Sequence, residues 1–464
     1  MKKVKNDIII FPNGTGFLTG PKAAVVITDS RDMFAKADAP PIAITYSKIK
    51  DLRGVVPWGS DNNLPQVIIE KVEKSPDLST DMKFNVEIGY GEGIIACRIQ
   101  MDEKGEKKVV PVYDNAEIND FFETNDINGY LLEQLTDMNY FYNIFPEIIL
   151  NQEDPAKRKV LYLTHKEAAF SRWEEMNPDT GKIEHHYYSA KWPEGTPAEK
   201  DLEVTEVLDF HRPIPDILQR IGRVPRKDAK TKDDKVFRYI VPVNFPTPGR
   251  SYYRKPYWYS IIESGWYDFA VAIPQFKKYL IENGMTIRYV IRLSDDYFPD
   301  IFAREGIIDQ EAQKARIKKE YEDLNKYLTG LKNTGKSMIT FFKAYPDGKK
   351  VYRIEIETVE NKFKGGEYLD DSGEVSNMIA YTMGVHPSLI GAVPGKNAGS
   401  FSGTDKRELF IIKQALLKPL RDRLVRPLYL IKKVNNWPAD IHFAIPNIVL
   451  TTLDKNTGSE KKVS

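Results

Sequence analysis

The chain has 464 residues, of which 41% are hydrophobic, and its formal net charge is +1. This length and apolar content predict a folded protein of two or three domain-sized units. The charge balance lacks the basic excess of proteins that clamp nucleic acid tightly, and no apolar run approaches the roughly 20 residues that span a bilayer. The single cysteine, Cys97, excludes an internal disulfide. We therefore expect a soluble, cytoplasmic product, with Cys97 as a small buried strand residue.

The first half of the chain has alternating helical and strand-like periods. Residues 1–53 are polar without a sustained period, which predicts an extended arm. Two helices, a hairpin and a third helix are then predicted over residues 64–72, 78–90, 94–100 with 108–112, and 128–140. Strand-like runs follow at residues 159–164, 169–174, 183–190, 204–210 and 236–243. These elements predict an α+β body over residues 54–250.

A smaller group of elements follows, between two predicted helices. The first helix, residues 256–283, is rich in aromatic side chains, and Pro274 should bend it. The second helix covers residues 368–383. Between them we predict a strand, a charged helix and two further strands, over residues 285–293, 309–327, 337–342 and 350–358. The pattern indicates an insert of strands around one helix.

The most informative segment is the last one. A helix ends in a turn at residues 384–391, a loop of glycine, serine, asparagine and lysine follows at 392–403, and an amphipathic stretch covers 404–436. The prolines Pro419 and Pro427 lie within that stretch, so it should form a kinked helix. A strand-like run at 441–453 closes the chain.

This order of elements resembles the C-terminal half of tailed-phage portal proteins. The turn reads GVHPSLIG, similar to the turn of that family, with His386 where proline is common. The next helix opens with DKRE at residues 405–408, and the family has a basic and an acidic residue there. Upstream, WGSDNNLP at 58–65 and GYGEG at 89–93 resemble the N-terminal wing of portals, especially those of phages and prophages of the Bacteroides type.

The resemblance implies a fold with an α+β wing, a two-helix stem, a small α/β clip insert and a long kinked helix. The implied domains are an N-terminal arm (1–53), the wing (54–255), the first stem helix (256–284), the clip (285–366), the second stem helix and turn (367–391), the tunnel loop (392–403), the long kinked wing helix (404–436), and a C-terminal strand and tail that form a reduced crown (437–464).

The resemblance also implies a function without catalysis. Portals form a ring, here expected to be a dodecamer, at one capsid vertex, in the virion and earlier in the host cytoplasm. Double-stranded DNA passes through the ring without sequence specificity during packaging and ejection. The implied protein partners are the terminase large subunit, a head–tail adaptor, and the major capsid and scaffolding proteins, with no membrane and no cofactor. Each phosphate that a protein neutralises adds to its affinity for DNA, so a net charge near zero permits DNA to slide through the ring. The same charge also fits a protein that does not bind nucleic acid.

The tunnel loop supplies the candidate DNA-channel residues, Lys396, Asn397, Ser400, Phe401 and Ser402. Its glycines raise backbone entropy, so we expect a poorly ordered loop that touches passing DNA. The alternative is a simple linker. The candidate kink residues are Pro419 and Pro427.

The rival function is a P-loop ATPase of the packaging-motor type. The segment from Gly330 to Ser337 matches the pattern G-x-x-x-x-G-K-[ST], which binds phosphate where a strand leads through the loop into a helix. Here a helix is predicted before the loop and a strand after it. This reversed order favours a helix C-cap at Gly330 and a second glycine turn.

Other motifs favour structural roles. The aromatic run at residues 252–259 could stack on bases, but a similar run precedes the first stem helix of portals, so a structural anchor is preferred. The six histidines lack metal-ligand spacing, and His185 and His186 should face opposite sides of a strand. We expect no catalytic, metal-binding or cofactor-binding residues.

Overall fold

The computed structural model describes four short strands near the N-terminus and most of the chain from residue 37 onward. The described residues are 2–3, 8–10, 15–18, 27–28, 37–49, 52–101, 105, 107–224, 236–282, 289–329, 342–344, 346, 350–358, 367–391 and 403–450. The chain forms two compact units. The first consists of Met1–Val271 and Leu369–Ser464, and the second of Ala272–Tyr368.

Helices and strands are mixed along the chain. The helices are α1 (Leu64–Lys74), α2 (Pro76–Tyr90), α3 (Ala116–Thr124), α4 (Ile127–Phe141), α5 (Pro213–Arg220), α6 (Ser260–Glu263), α7 (Trp266–Glu282), α8 (Tyr297–Glu305), α9 (Gln310–Thr329), α10 (Glu367–Thr382), α11 (Pro387–Ile390), α12 (Gly403–Leu416), α13 (Lys418–Leu424) and α14 (Arg426–Val434). The strands are β1 (Lys2–Lys3), β2 (Ile8–Ile10), β3 (Thr15–Leu18), β4 (Ile27–Thr28), β5 (Ile95–Met101), β6 (Lys107–Pro111), β7 (Asn143–Leu150), β8 (Val160–Lys166), β9 (Ser171–Trp173), β10 (His185–Tyr188), β11 (Glu203–Val207), β12 (Arg238–Ile240), β13 (Val243–Asn244), β14 (Tyr289–Leu293), β15 (Phe342–Ala344), β16 (Lys350–Tyr352), β17 (Ile354–Thr358) and β18 (His442–Ala444). The fold is α+β, as predicted.

The first unit is organised around a mixed sheet. Its strand order is β13-β7-β12-β11-β10-β9, with β8 also paired to β7. The β11–β12 pair is parallel and its neighbours are antiparallel. A second sheet, β18-β5-β6, contains the predicted hairpin, and β18 comes from the far C-terminal part of the chain. The hairpin prediction is confirmed, since β5 and β6 pair antiparallel from Cys97 with Pro111 to Met101 with Lys107.

The core of the first unit joins the large sheet to helices from both ends of the chain. Leu131 and Leu135 of α4, Ile148 of β7, and Leu428 and Ile431 of α14 are fully buried in one cluster. Burying such side chains contributes about 1.5–3 kcal/mol each relative to exposure. The amphipathic C-terminal segment is therefore part of the same core as the N-terminal helices.

The second unit contains two antiparallel strand pairs, β14 with β17 and β15 with β16, and the helices α8 and α9. Arg316 of α9 bonds to Glu320 at 2.6 Å and to Glu305 of α8 at 2.9 Å. The Tyr297 hydroxyl donates to the Glu320 carboxylate at 2.6 Å. These polar contacts join the two helices of the insert.

The structure differs from the sequence-based prediction in several elements. Residues 1–53, expected as an extended arm, contain the four-stranded antiparallel sheet β1–β4. The predicted helix 256–283 is interrupted at Gly265, whose φ of +86° is a left-handed conformation that glycine tolerates. The strand-like run at 441–453 is a strand over β18 alone within the described residues.

Strand β7 and helices α3, α5 and α8 were not predicted. Strand β7 contains Pro146, and a proline without an N–H donor argues against a central strand. Here the Pro146 carbonyl still accepts from the Val241 N–H at 2.8 Å, so the strand remains paired.

Candidate functional site

The predicted channel residues Lys396, Asn397, Ser400, Phe401 and Ser402 lie outside the described residues, in the segment 392–402. The structure does describe both ends of this segment. One end is the turn after α10, and the other is the start of α12, which contacts α11. The candidate site is therefore the set of residues that hold these two ends.

The turn after α10 is built as a helix C-terminus. Gly384 has a φ of +62°, and its N–H donates to the Tyr381 carbonyl at 3.0 Å. The Val385 N–H donates to the Ala380 carbonyl at 2.8 Å, and the Val385 side chain is buried. Glycine in this conformation ends a helix without strain. The turn therefore has a defined geometry.

His386, which replaces the common proline, begins the short helix α11. Its Nδ1 accepts from the Ser388 N–H at 3.3 Å and lies 2.7 Å from the Ser388 hydroxyl. Pro387 occupies the first turn of α11, where its missing N–H has no partner to lose. His386 thus caps α11 with its side chain.

A line of polar side chains on α2 faces this turn, and we call it the α2 seam: Asp77, Asp81 and Asn85. Residues four apart lie on one helix face. Asp77 accepts from the Ser376 hydroxyl of α10 at 2.9 Å. The Asn85 side-chain amide donates to the Met383 carbonyl at 3.0 Å. The seam therefore joins α2 to the C-terminal half of α10 by hydrogen bonds.

Asp81, in the middle of the seam, is 1% exposed, and its Oδ1 has no hydrogen-bond partner within the described part of the chain. Burial raises the pKa of Asp81 to about 7, with a further increase from Asp77 and an opposing effect of Lys413. A carboxyl group without a bonded partner is costly to bury in its charged form.

Lys413 of α12 donates from Nζ to the Gly384 carbonyl at 2.8 Å. This bond links the helix after the segment 392–402 to the turn before it. Burial lowers the pKa of Lys413 to about 8, and Asp81 opposes this shift. Lys413 and Asp81 thus affect each other electrostatically across the seam.

Arg421 of α13 completes the attachment of the C-terminal helices to α2. Its Nη2 donates to the Ile88 carbonyl at 2.8 Å and its Nε to the Gly89 carbonyl at 3.1 Å. These carbonyls belong to the last turn of α2, where helix carbonyls lack internal partners. A cation there is also favoured by the helix dipole. Arg421 bonds to Asn447 as well, and burial lowers its pKa.

The segment 404–436 consists of three consecutive helices, α12, α13 and α14. The interruptions lie at Leu417 and Val425, two residues before Pro419 and Pro427. The Leu417 N–H donates to the Gln414 carbonyl at 3.2 Å, a shortened turn. Proline removes a backbone donor and clashes with the preceding turn, so we expect the prolines to cause the interruptions at these two places.

Tyr253 and Trp258 of the aromatic run at 252–259 are buried in the first unit, whereas Tyr257 is 57% exposed. The Tyr253 ring stacks on Trp58 with centroids 4.3 Å apart, and its hydroxyl donates to the Val56 carbonyl at 2.7 Å. The Trp258 indole donates to the Asn139 carbonyl at 2.8 Å. Buried rings with bonded polar atoms are not free to stack on bases, and these contacts are those of an anchor.

The cysteine and the two adjacent histidines lie in surroundings typical of structural residues. Cys97 is buried on β5, and burial raises the pKa of its thiol. His186 is buried between aromatic rings, whereas His185 is partly exposed and bonds to Glu174 at 3.0 Å. Among the described residues, no group of three or more histidine, cysteine, aspartate or glutamate side chains could hold a metal ion.

The segment from Gly330 to Ser337 lies outside the described residues, directly after α9, which ends at Thr329. The next described strand is β15. In the described ranges no helix is both long and apolar enough to cross a bilayer.

Asp81, Lys413 and Arg421 were not among the candidates from the sequence. The available signal was the spacing of Asp81 and Asn85, which places two polar side chains on one face of the helix predicted over 78–90; Asp77 joins that face because the observed helix begins at Pro76. Nothing in the local sequence indicates that Lys413 and Arg421 pack against that helix.

No family model matches the chain, and no curated protein matches it. Solved structures with some similarity include a chain from the virion of a native gene transfer agent particle, with 14% identity over 81% of this chain and 83% of that one, at a TM-score of 0.49. A chain from the neck of the native particle, computed with C12 symmetry, is 14% identical over 82% of this chain and 84% of that one, at a TM-score of 0.49. A chain from the neck of the empty particle, computed with C6 symmetry, is 13% identical over 85% of this chain and 86% of that one, also at a TM-score of 0.49. TM-scores below 0.5 do not establish a shared fold.

Proposed function

We propose that the chain is a portal protein, the ring-shaped DNA channel at one vertex of a tailed-phage capsid. The observation that carries the proposal is the order of elements around the candidate site: a helix, a glycine turn, the segment 392–402 and a helix interrupted before two prolines. The second compact unit, Ala272–Tyr368, inserted between parts of the first, also supports it. A wing, a clip reached through two stem helices and a long kinked helix have this sequence order in the portal family that the chain resembles.

In this proposal the first unit contains the wing, and the second contains the clip. The segment 392–402 is the tunnel loop, and its Lys396 side chain contacts the DNA phosphates. The ring is a dodecamer that docks the terminase large subunit during packaging and a head–tail adaptor afterwards, and it contacts the major capsid and scaffolding proteins. The protein supplies a channel and no catalysis.

Exposed apolar side chains on α12 support self-assembly. Ile412 and Leu416, one turn apart on α12, are 56% and 72% exposed. Apolar side chains repeated along one face are typical of surfaces covered in an assembly. A closed ring would bury them against the adjacent subunit.

Negative-stain electron microscopy of the purified chain tests the proposal. Rings with a central hole are expected, and light scattering at near-physiological salt should give the mass of an oligomer. A homogeneous monomer under these conditions, including after mixing with its capsid and scaffolding partners, would contradict the portal function.

The rival function, an ATPase using Gly330–Ser337, has a separate test. The helix α9 directly before this segment opposes a phosphate site, because the anion-binding arrangement needs a helix after the loop. Saturable ATP hydrolysis by the purified chain would favour the ATPase.

A further inference from the structure

The turn at the start of the segment 392–402 is held by two side chains from other helices. Asn85 of α2 donates to the Met383 carbonyl at 3.0 Å, and Lys413 of α12 donates to the adjacent Gly384 carbonyl at 2.8 Å. These two bonds bring α2 and α12 to neighbouring peptide groups. The Lys413 ammonium group is therefore one of the contacts that hold the turn.

Asp81 carries a carboxyl group that interacts electrostatically with that ammonium group. It precedes Asn85 by one helical turn on the same face of α2, and such neighbours have Cβ atoms about 5–6 Å apart. Its side chain is 1% exposed and its Oδ1 is without a hydrogen-bond partner among the described residues. An unpartnered buried carboxylate oxygen gains free energy when a donor reaches it.

We propose that Lys413 is a two-position latch, whose ammonium group bonds either to the Gly384 carbonyl, as in this structure, or to the Asp81 carboxylate on α2. In the first position α12 holds the turn 384–391 through Lys413. In the second position the Gly384 carbonyl loses this donor, and the turn is held by its own backbone bonds and by Asn85. Lysine suits this role because its point charge sits on a flexible four-carbon stem.

Protonation of Asp81 selects between the two positions. With its pKa raised to about 7, Asp81 is neutral in mildly acidic solution and does not attract Lys413. Above this pH the carboxylate is charged while Lys413, with a pKa lowered to about 8, is still protonated, and the attraction is strongest. The charged groups that act on Asp81 are Asp77 of α2 and Lys413 of α12, and Asp81 is the charged group that acts on Lys413.

The latch connects the two ends of the segment 392–402 within one chain, so it does not depend on the portal function. If the portal proposal holds, the latch would link the charge state of the α2 seam to the residues that flank the tunnel loop.

A spin label at Ile390→Cys tests the latch. Ile390 is 36% exposed in α11, whereas the one native cysteine is 1% exposed, so the nitroxide attaches selectively. Its line shape would be recorded from pH 5.5 to 7.5. We expect a shift from a slow to a faster component with a midpoint near the pKa of Asp81.

Two variants decide the outcome, and circular dichroism checks the fold of each. Asp81→Asn should keep the slow component at every pH, and Lys413→Met should give the fast component at every pH. Lys418→Met is the matched control, since this lysine lies on the adjacent α13 and pairs with Asp422 at the surface, and it should behave as the parent chain. No shift in the parent chain, or a shift that persists in Asp81→Asn, would overturn the latch. A latch transition in a chain that forms no rings would instead count against the portal function alone.

Discussion

Arg421 donates from Nη2 to the main-chain carbonyl of Ile88 at 2.8 Å, although 333 positions separate the two residues. The bond joins the second of the three C-terminal helices to the end of an N-terminal helix. Because no carboxylate among the described residues pairs with this buried guanidinium, it depends on its hydrogen bonds to the carbonyl groups and to Asn447. The relationship leads to the first prediction.

Replacing Arg421 with methionine should destabilise the chain by about 2–4 kcal/mol, because the Ile88 and Gly89 carbonyls lose a charged donor in a buried place. Urea denaturation followed by circular dichroism measures the change. The control is Lys418→Met, which removes an exposed ion pair and should cost less than about 1 kcal/mol. Equal stability of the two variants would show that Arg421 does not hold α2.

Asp81 should make the chain less stable as the pH rises from acidic to neutral. A group whose folded pKa is raised contributes stability that is present below its unfolded pKa and lost as the pH rises through the folded value. For Asp81 the pKa is the ordinary 3.8 in the unfolded chain and about 7 in the folded chain. The expected loss therefore lies between these pH values and amounts to a few kcal/mol.

The measurement is the free energy of unfolding at pH 4.5, 5.5, 6.5 and 7.5 for the parent chain and for Asp81→Asn. The free energy of unfolding of Asp81→Asn should increase relative to that of the parent chain as the pH rises. Parallel pH profiles for the two chains would mean that Asp81 titrates with an ordinary pKa. Lys413 itself stays mostly protonated over this range, because its pKa is lowered only to about 8.

The prolines of the C-terminal segment are predicted to set its interruptions. Replacing both Pro419 and Pro427 with alanine restores two backbone donors and should merge α12, α13 and α14 into a straighter helix. A structure of the double variant shows the result. If the interruptions at Leu417 and Val425 remain, packing against the core determines the bend.

Lys336 is predicted to have no role in binding nucleotide. ATP affinity should be unmeasurable by isothermal titration in the parent chain and in Lys336→Ala alike. A phosphate site of this kind needs a helix that begins after the loop, whereas α9 ends before it. Micromolar, saturable ATP binding that the alanine substitution abolishes would establish the rival function.

Lys396 is predicted to contact DNA weakly in the assembled ring. A single surface contact is worth well under about 1 kcal/mol, and repeated around a ring it could centre DNA without stopping it. Lys396→Glu, or removal of residues 395–402, should spare ring assembly and impair DNA packaging or retention. Normal packaging and retention by rings that lack these residues would leave the segment as a linker.

Much of the element order could be predicted from local patterns. Helices α1, α2, α4 and α9 and the β5–β6 hairpin were predicted because each has its own periodicity and its own terminal signals, such as Ser75 before α2 and glycine after it. The α+β class follows from those elements. Strand β7 could not be predicted, because Pro146 argues against a strand and its burial among β8, β12 and β13 is a property of the sheet.

The candidate site was only partly predictable for the same reason. Periodicity and the two prolines predicted one kinked amphipathic helix after a glycine turn, since helix formation and proline stereochemistry act over a few residues. The structure has three consecutive helices there. The α2 seam, the bond from Lys413 to Gly384 and the capping of α2 by Arg421 depend on segments distant in the chain that meet in one core. Burial there shifts the pKa values of Asp81 and Lys413, and burial is decided by the folded chain, because it depends on what packs around a side chain and not on the residues beside it in sequence.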